Sequence, residues 1–219
     1  MLPYFSMLSG SASVRLPANL PVFRAASLRA SVEGVGGGSW LFDNLVGLLT
    51  EISEEVPSGA LTVAADLIVE AQDQNEPVAW VAGTDSIFFP PDFHERGIDL
   101  SAVSVIRAGG VAESLMAAEW LIRSGAWGLV IVDVDCRWKI SDASLFRIQK
   151  VAGRNLCAAV FLTRKRCHDP SLGSGIALRG CVSSSGSGPF IVDVLTIKDR
   201  RFHSSSRRRR QYNGSSGMY

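Results

Sequence analysis

Trp127–Val134 (WGLVIVDV) is an apolar run with no alternation of polar residues. Such a run suits a strand covered on both faces, as in the middle of a parallel sheet. Just before it, Val111–Ser124 sets Val111, Leu115, Ala118 and Ile122 on one face of a helix, and Gly125 follows as a C-terminal cap. The same alternation recurs outward in both directions. Leu48–Ser53 and Pro77–Gly83 (PVAWVAG) read as strands on either side of a helix over Ser58–Gln74, whose apolar face is Leu61, Ala65, Ile68 and Val69. Pro91–Arg96 reads as a helical turn and Ala102–Arg107 as a strand. Ser141 is placed to N-cap a helix running to about Arg154, and Leu156–Thr163 (LCAAVFLT) is another buried strand. Ile176–Ser183 and Phe190–Ile197 read as a closing pair of strands. The expected fold is α/β, with a mostly parallel central sheet flanked by helices.

The 219 residues are 47% hydrophobic with a mean hydropathy of +0.18, enough for one packed domain with tails. Residues 1–39 have no clear period and end in a glycine-rich stretch, so they read as an arm and linker. Residues 40–199 hold the domain, and 200–219 read as a basic tail with little to bury, disordered when free. Cys136, Cys157, Cys167 and Cys181 form no CxxC pair and are expected as reduced thiols. The N-terminus lacks a signal-peptide pattern, and no uncharged run approaches the ~20 residues of a membrane span. A soluble cytoplasmic protein is expected, with no membrane partner, no metal and no cofactor. The five tryptophans are expected as packing residues.

The formal net charge of +1 conceals a strong asymmetry. Residues 30–95 carry twelve acids and neither Lys nor Arg, whereas residues 200–219 carry six Arg and no acid. Asymmetry of this kind speaks to partners rather than to fold.

In this fold class the first strand–helix turn often holds a phosphate, with the pattern GxxxxGK[ST]. Here that turn reads Glu54, Glu55, Val56, Pro57, Ser58, Gly59, Ala60, Leu61. Ala60 stands at the Lys position, Leu61 at the Ser/Thr position and Glu54 at the first Gly position. Two carboxylates here repel a triphosphate, by about 4 kcal/mol per charge pair at ~4 Å in an effective dielectric of about 20. The position is present and the chemistry for holding ATP is absent, which points away from an enzyme.

Leu48–Arg201 resembles the RecA-like ATPase core and, more closely, the ImuA family of SOS-mutagenesis accessory proteins. The resemblance is carried by Leu49–Ile52 (LTEI), Pro77–Val81 (PVAWV), Phe89–Pro91 followed by Gly97–Leu100 (GIDL), and Val105–Arg107. Ala117–Glu119, Arg123–Ala126 (RSGA) and Leu145–Gln149 (LFRIQ) continue it in order. It implies a non-catalytic RecA-like adaptor in DNA-damage-induced mutagenesis and translesion synthesis. The implied partners are RecA, an ImuB-type Y-family polymerase relative and an error-prone C-family polymerase. Against RecA, Asp133 falls at the Walker B acid, the water-activating acid falls near Thr84 and the sensing Gln at about Arg164. The alternatives are a cell-division inhibitor resembling SulA and an active DNA-dependent ATPase of the RecA superfamily.

Three basic groups remain as candidates for a partner or for DNA. Arg147, Lys150 and Arg154 share a helix face, and Arg164, Lys165 and Arg166 follow a buried strand, where RecA proteins contact DNA. Arg200, Arg201, Arg207, Arg208, Arg209 and Arg210 make the tail an interaction segment. Asp133 is read as a strand-end acid that caps backbone or pairs with Arg rather than as a magnesium ligand.

Overall fold

The computed structural model describes residues 40–54, 59–86, 88, 90–134, 140–186, 190–201 and 206–212. The chain falls into two units, Met1–Glu33 and Gly34–Tyr219, and every described residue belongs to the second. The expected arm over 1–39 lies outside the described residues.

Each apolar run becomes a strand and each amphipathic stretch a helix. In chain order these are α1 (Phe42–Leu45), β1 (Leu49–Ser53), α2 (Ala60–Asp73), β2 (Val78–Ala82), α3 (Pro90–Glu95) and β3 (Val103–Arg107). There follow α4 (Val111–Ser124), β4 (Leu129–Asp133), α5 (Asp142–Asn155), β5 (Ala158–Thr163), β6 (Leu178–Ser185), β7 (Phe190–Asp199) and β8 (Arg207–Tyr212). The strands form one sheet in the order β3-β2-β4-β5-β1-β6-β7-β8. The pairs from β3 through β6 are parallel, and β6, β7 and β8 run antiparallel. The sheet is thus mostly parallel, as the unbroken apolar strands require, and β4 lies between β2 and β5 with every residue buried. This is the arrangement expected of a RecA-like core.

Alternate residues of each strand feed opposite faces. Trp80, Ile131, Val160 and Leu178 pack with Leu67 and Ile68 of α2. Val81, Val130, Val132 and Phe161 pack with Ala118 and Ile122 of α4 and Leu145 and Ile148 of α5. Local chemistry ends the helices where the sequence predicts. Gly125 takes the left-handed conformation (φ +69°) after α4, which a residue with a Cβ adopts only with strain. The Ser141 hydroxyl accepts a hydrogen bond from the Ser144 N–H (3.2 Å) at the start of α5.

Two expectations are corrected. The Arg-rich end is an edge strand, β8, paired with β7 from Leu195↔Arg207 to Phe190↔Tyr212. A segment with few apolar side chains folds here because its guanidiniums meet carboxylates fixed in the domain. The second concerns the thiols. Cys167 and Cys181 form a disulfide, and Cys157 is a buried thiol whose pKa is pushed up to about 12, chiefly by burial. Cys136 lies outside the described residues.

Candidate functional site

The start of α2 lies at the C-terminal end of the parallel strands, where open α/β sheets hold ligands. Its first backbone N–H groups have no partner within the helix. They are met by Glu54, which leaves the end of β1 and turns its carboxylate back: Oε2 accepts from Gly59 N–H (3.1 Å) and Ala60 N–H (2.9 Å). Glu54 is only 2% exposed, and its own N–H donates to the Thr163 carbonyl (3.1 Å). A carboxylate at a helix N-terminus is favoured by the helix dipole. Gly59 is closely packed, since a Cβ there would lie 2.9 Å from Val182 Cγ1 and 3.0 Å from Val192 Cγ1. Ala60 is buried, Leu61 is half-buried against the α2-side core, and Glu55 and Ser58 lie outside the described residues.

Next to this turn is a buried acid–base cluster. Glu51 on β1 stands opposite Arg179 on β6, and both are closed to solvent. Glu51 Oε1 accepts from Thr163 Oγ1 (3.1 Å) and pairs with Lys165 Nζ (3.0 Å), and Oε2 accepts from Leu172 N–H (2.8 Å). Arg179 donates to Ser53 Oγ (3.2 Å) and to the carbonyls of Arg166 (2.9 Å) and Asp169. Lys165 also donates to the Pro170 carbonyl (2.8 Å). The segment after β5, whose three bases are candidates for contacting DNA, is therefore tied to the sheet by Lys165, Arg179 and the Cys167–Cys181 disulfide. Arg164 reaches across to the Asp85 carbonyl, and Arg166 is exposed.

Asp133 ends β4 and accepts from Ser86 Oγ (2.5 Å), whose oxygen in turn accepts from Phe88 N–H (3.2 Å). It is a strand-end acid engaged by a neighbouring turn. Among the described residues no cluster of His, Cys, Asp or Glu could hold a metal ion.

The β8 arginines alternate between two carboxylate sets. Arg208 and Arg210 reach Asp66 (3.3 and 3.0 Å) and Glu70 (3.1 and 3.2 Å) on α2, and the Tyr212 hydroxyl donates to Asp66 Oδ2 (2.5 Å). Arg96 also pairs with Asp66 (3.2 Å) and lies over the Tyr212 ring, 4.6 Å from its centroid. Burial, then the adjacent Asp66, pushes the Tyr212 hydroxyl up to about 12, so it stays a donor. On the opposite face Arg207 and Arg209 both chelate Asp193 (2.9 and 2.8 Å). The expectation of a freely available Arg tail is thereby corrected for Arg207–Arg210. Arg200 donates to the Ser174 carbonyl and Arg201 to that of Asn44 (2.5 Å).

Hydrogen bonds from Arg209 and then Arg207 hold the Asp193 carboxyl down to about 2, against an ordinary 3.8. Because the folded value is the lower one, this contribution is complete above about pH 4 and is lost as the pH falls toward 2. Both arginines are largely exposed, so the effect is small. Asp193→Asn should therefore flatten the acid limb of a stability–pH curve between about pH 4 and pH 2, with little change at neutrality. Urea unfolding at each pH measures this.

Arg147, Lys150 and Arg154 are exposed on α5, and Arg147 Nε lies 3.3 Å from Glu119 Oε2 of α4. The structure thus separates the candidates: Glu54, Ala60 and the Glu51 cluster lie together, Arg147, Lys150 and Arg154 lie on α5, and Arg207–Arg210 lie on the far edge. Glu51 and Arg179 escaped sequence reasoning, although a charged residue within each apolar strand was the available signal. Trp120, expected as packing, is two-thirds exposed.

No helix among the described residues is long and apolar enough to cross a membrane. No family model matches the chain. It is 29% identical over 155 residues to Protein RecA of Chlorobium chlorochromatii, a match that covers 63% of this chain and 44% of that protein. It is 29% identical over 109 residues to Protein RecA of Chlorobaculum tepidum, covering 47% of this chain and 31% of that one. Against Protein RecA of a Nocardioides species the identity is 31% over 114 residues, covering 48% and 32%. The chain spans less than half the length of these curated relatives. With the sheet order above, the partial likeness makes the chain a distant RecA-like relative.

Proposed function

We propose that this chain is a RecA-like adaptor without nucleotide turnover, acting in DNA-damage-induced mutagenesis. The observation that carries the reading is Glu54. The N–H groups of Gly59 and Ala60 would cradle a phosphate in a working nucleotide site, and the chain's own carboxylate holds them instead. An anion arriving there must displace a buried carboxylate and meet its charge, and Ala60 and Leu61 supply neither the cation nor the hydroxyl. The RecA shape is kept while the site for ATP is closed, which suits a protein that works by docking.

The ImuA resemblance names the partners: RecA, an ImuB-type polymerase relative and an error-prone C-family polymerase. The α5 bases are the available partner contacts, because Arg208 and Arg210 already serve the fold. The test is biolayer interferometry of the full chain against RecA filaments on single-stranded DNA and against the two polymerase-type partners. Saturable binding to RecA and to the ImuB-type protein is expected. Binding to neither, with binding to the cell-division GTPase, would move the protein to the division-inhibitor reading.

A further inference from the structure

Helices α4 and α5 lie side by side over one face of the sheet, joined by the Arg147–Glu119 pair and by Asn155 Nδ2 donating to the Ile122 carbonyl (2.7 Å). Their inward faces carry Ala118, Ile122, Leu145 and Ile148. Their outward faces mix charged with large apolar side chains. Trp120 is 67% exposed and Met116, one turn earlier on α4, 47%. Phe146 on α5 (47%) and Leu156, just past its end (48%), are exposed as well. Aromatic side chains bury large areas when covered, at roughly 25 cal/mol per Å². Leaving several open on neighbouring helices is the pattern of an interaction surface.

Beside Phe146 the exposed charge is basic, from Lys150 and Arg154. Arg123, Arg147, Lys150 and Arg154 are exposed on the two helices. The acids of the same helices make local contacts: Glu119 pairs with Arg123 and Arg147 and offsets part of their charge, Glu113 accepts from Gly109 N–H (2.7 Å), and Asp142 accepts from Ser174 N–H (3.1 Å). Lys150 and Arg154 make no ion pair among the described residues, and with Phe146 and Gly153 they edge a shallow groove that reaches Gly47.

We propose that the outer face of α4 and α5 is a docking surface for an acidic, amphipathic segment of a partner protein. Trp120 and Phe146 supply the apolar anchors, and Arg147, Lys150 and Arg154 supply the complementary charge. A protein segment fits better than a nucleic-acid backbone. Glu119 and the carbonyl end of α4 beside Arg123 oppose a continuous row of phosphates, whereas a peptide can set its carboxylates at Lys150 and Arg154 alone. Carboxylates spaced between aliphatic and aromatic side chains avoid both and use Met116 and Leu156, which offer nothing to a phosphate. The adaptor reading gives the surface a biological occupant, but the surface is tested apart from it with a synthetic probe.

The probe is a short fluorescein-labelled helical peptide with Leu and Trp on one face and Glu on the rest, titrated by anisotropy with the full chain. Three controls accompany it: the same peptide with Lys for Glu, the same with Ser for the apolar residues, and a labelled oligo-dT. The acidic amphipathic peptide should bind saturably, more weakly at higher salt, and both control peptides should bind far less. Trp120→Ala should weaken it about tenfold or more, as for a buried aromatic anchor. Lys150→Glu combined with Arg154→Glu should weaken it and remove its salt dependence, while the melting curve of each variant stays at the wild-type position. Equal binding of the Lys peptide, no binding of the acidic one, or unchanged affinity in both variants would overturn the proposal. Tighter binding of oligo-dT that Trp120→Ala abolishes would make the surface a nucleic-acid platform instead. All of these outcomes are independent of whether RecA or a polymerase binds the chain.

Discussion

Arg208→Ala should destabilise the fold by about 3–5 kcal/mol, the usual cost of removing one partner from a buried ion pair. Arg208 is 5% exposed, and its guanidinium serves Asp66 Oδ2, Glu70 Oε1 and the Trp40 carbonyl at once. Its loss leaves Asp66 and Glu70 facing each other on one turn of α2, with Arg96, Arg210 and Tyr212 to share. It also frees the Trp40 carbonyl in a buried setting. Arg208→Lys should recover only part of the loss, because one ammonium cannot span three acceptors as a planar guanidinium does. A shift of the urea midpoint with an unchanged slope is the expected readout. A change within about 0.5 kcal/mol, the range of ordinary surface substitutions, would show that β8 is not integral to the domain. The same physics affects binding assays: removing 207–219 takes away the β7–β8 ladder, so a binding loss in that truncation reports on folding as well.

Glu51→Ala is the second large effect, again about 3–5 kcal/mol. The substitution leaves Arg179 buried without its carboxylate, strips Lys165 of its counter-charge, and takes the acceptor from Leu172 N–H and Thr163 Oγ1. Glu51→Gln retains an oxygen for one of those donors and should cost less, though still measurably, because the cations stay unpaired. The damage should be local as well as global. Amide exchange over 164–175 should accelerate in either variant, since Lys165 and Arg179 hold that segment to the sheet. Stability and exchange both at wild-type values would remove Glu51 from its place as organiser of the segment.

The strands and helices were legible because each follows a simple period: unbroken apolar residues for β2, β4 and β5, and i, i+3, i+4 spacing for α4. What escaped was polar and non-local. Asp66 and Arg208 are separated by 142 residues, and no periodicity links an acid on α2 to an arginine on the last strand. Disorder was inferred for Arg207–Arg210 from their lack of apolar side chains, but the partners that order them lie in the acidic half of the chain. Glu51 and Arg179 were hidden in the same way, each a charged residue inside a buried strand opposite the other. The Cys167–Cys181 bridge closes only 14 residues, yet without the fold nothing distinguished that pair from the others.

The segregation of charge also takes on a different meaning. The acids of residues 30–95 looked like a surface field directed at partners. Glu51, Glu54, Asp66 and Glu70 are instead partnered within the domain, three of them by cations from later in the sequence and Glu54 by the backbone of α2. Asp43, Asp73, Asp85, Asp92 and Glu95 stay exposed in that half, while Lys150 and Arg154 on α5 are exposed bases without an ion pair among the described residues, which is why that helix carries the docking proposal.

Glu54 is where the central claim meets experiment most directly. Isothermal titration calorimetry of the full chain with magnesium-ATP should show no saturable heat into the millimolar range, and a coupled assay should detect no phosphate release, with or without single-stranded DNA. A micromolar dissociation constant, or DNA-stimulated hydrolysis, would contradict the account, because nucleotide would then be displacing the Glu54 carboxylate from the start of α2.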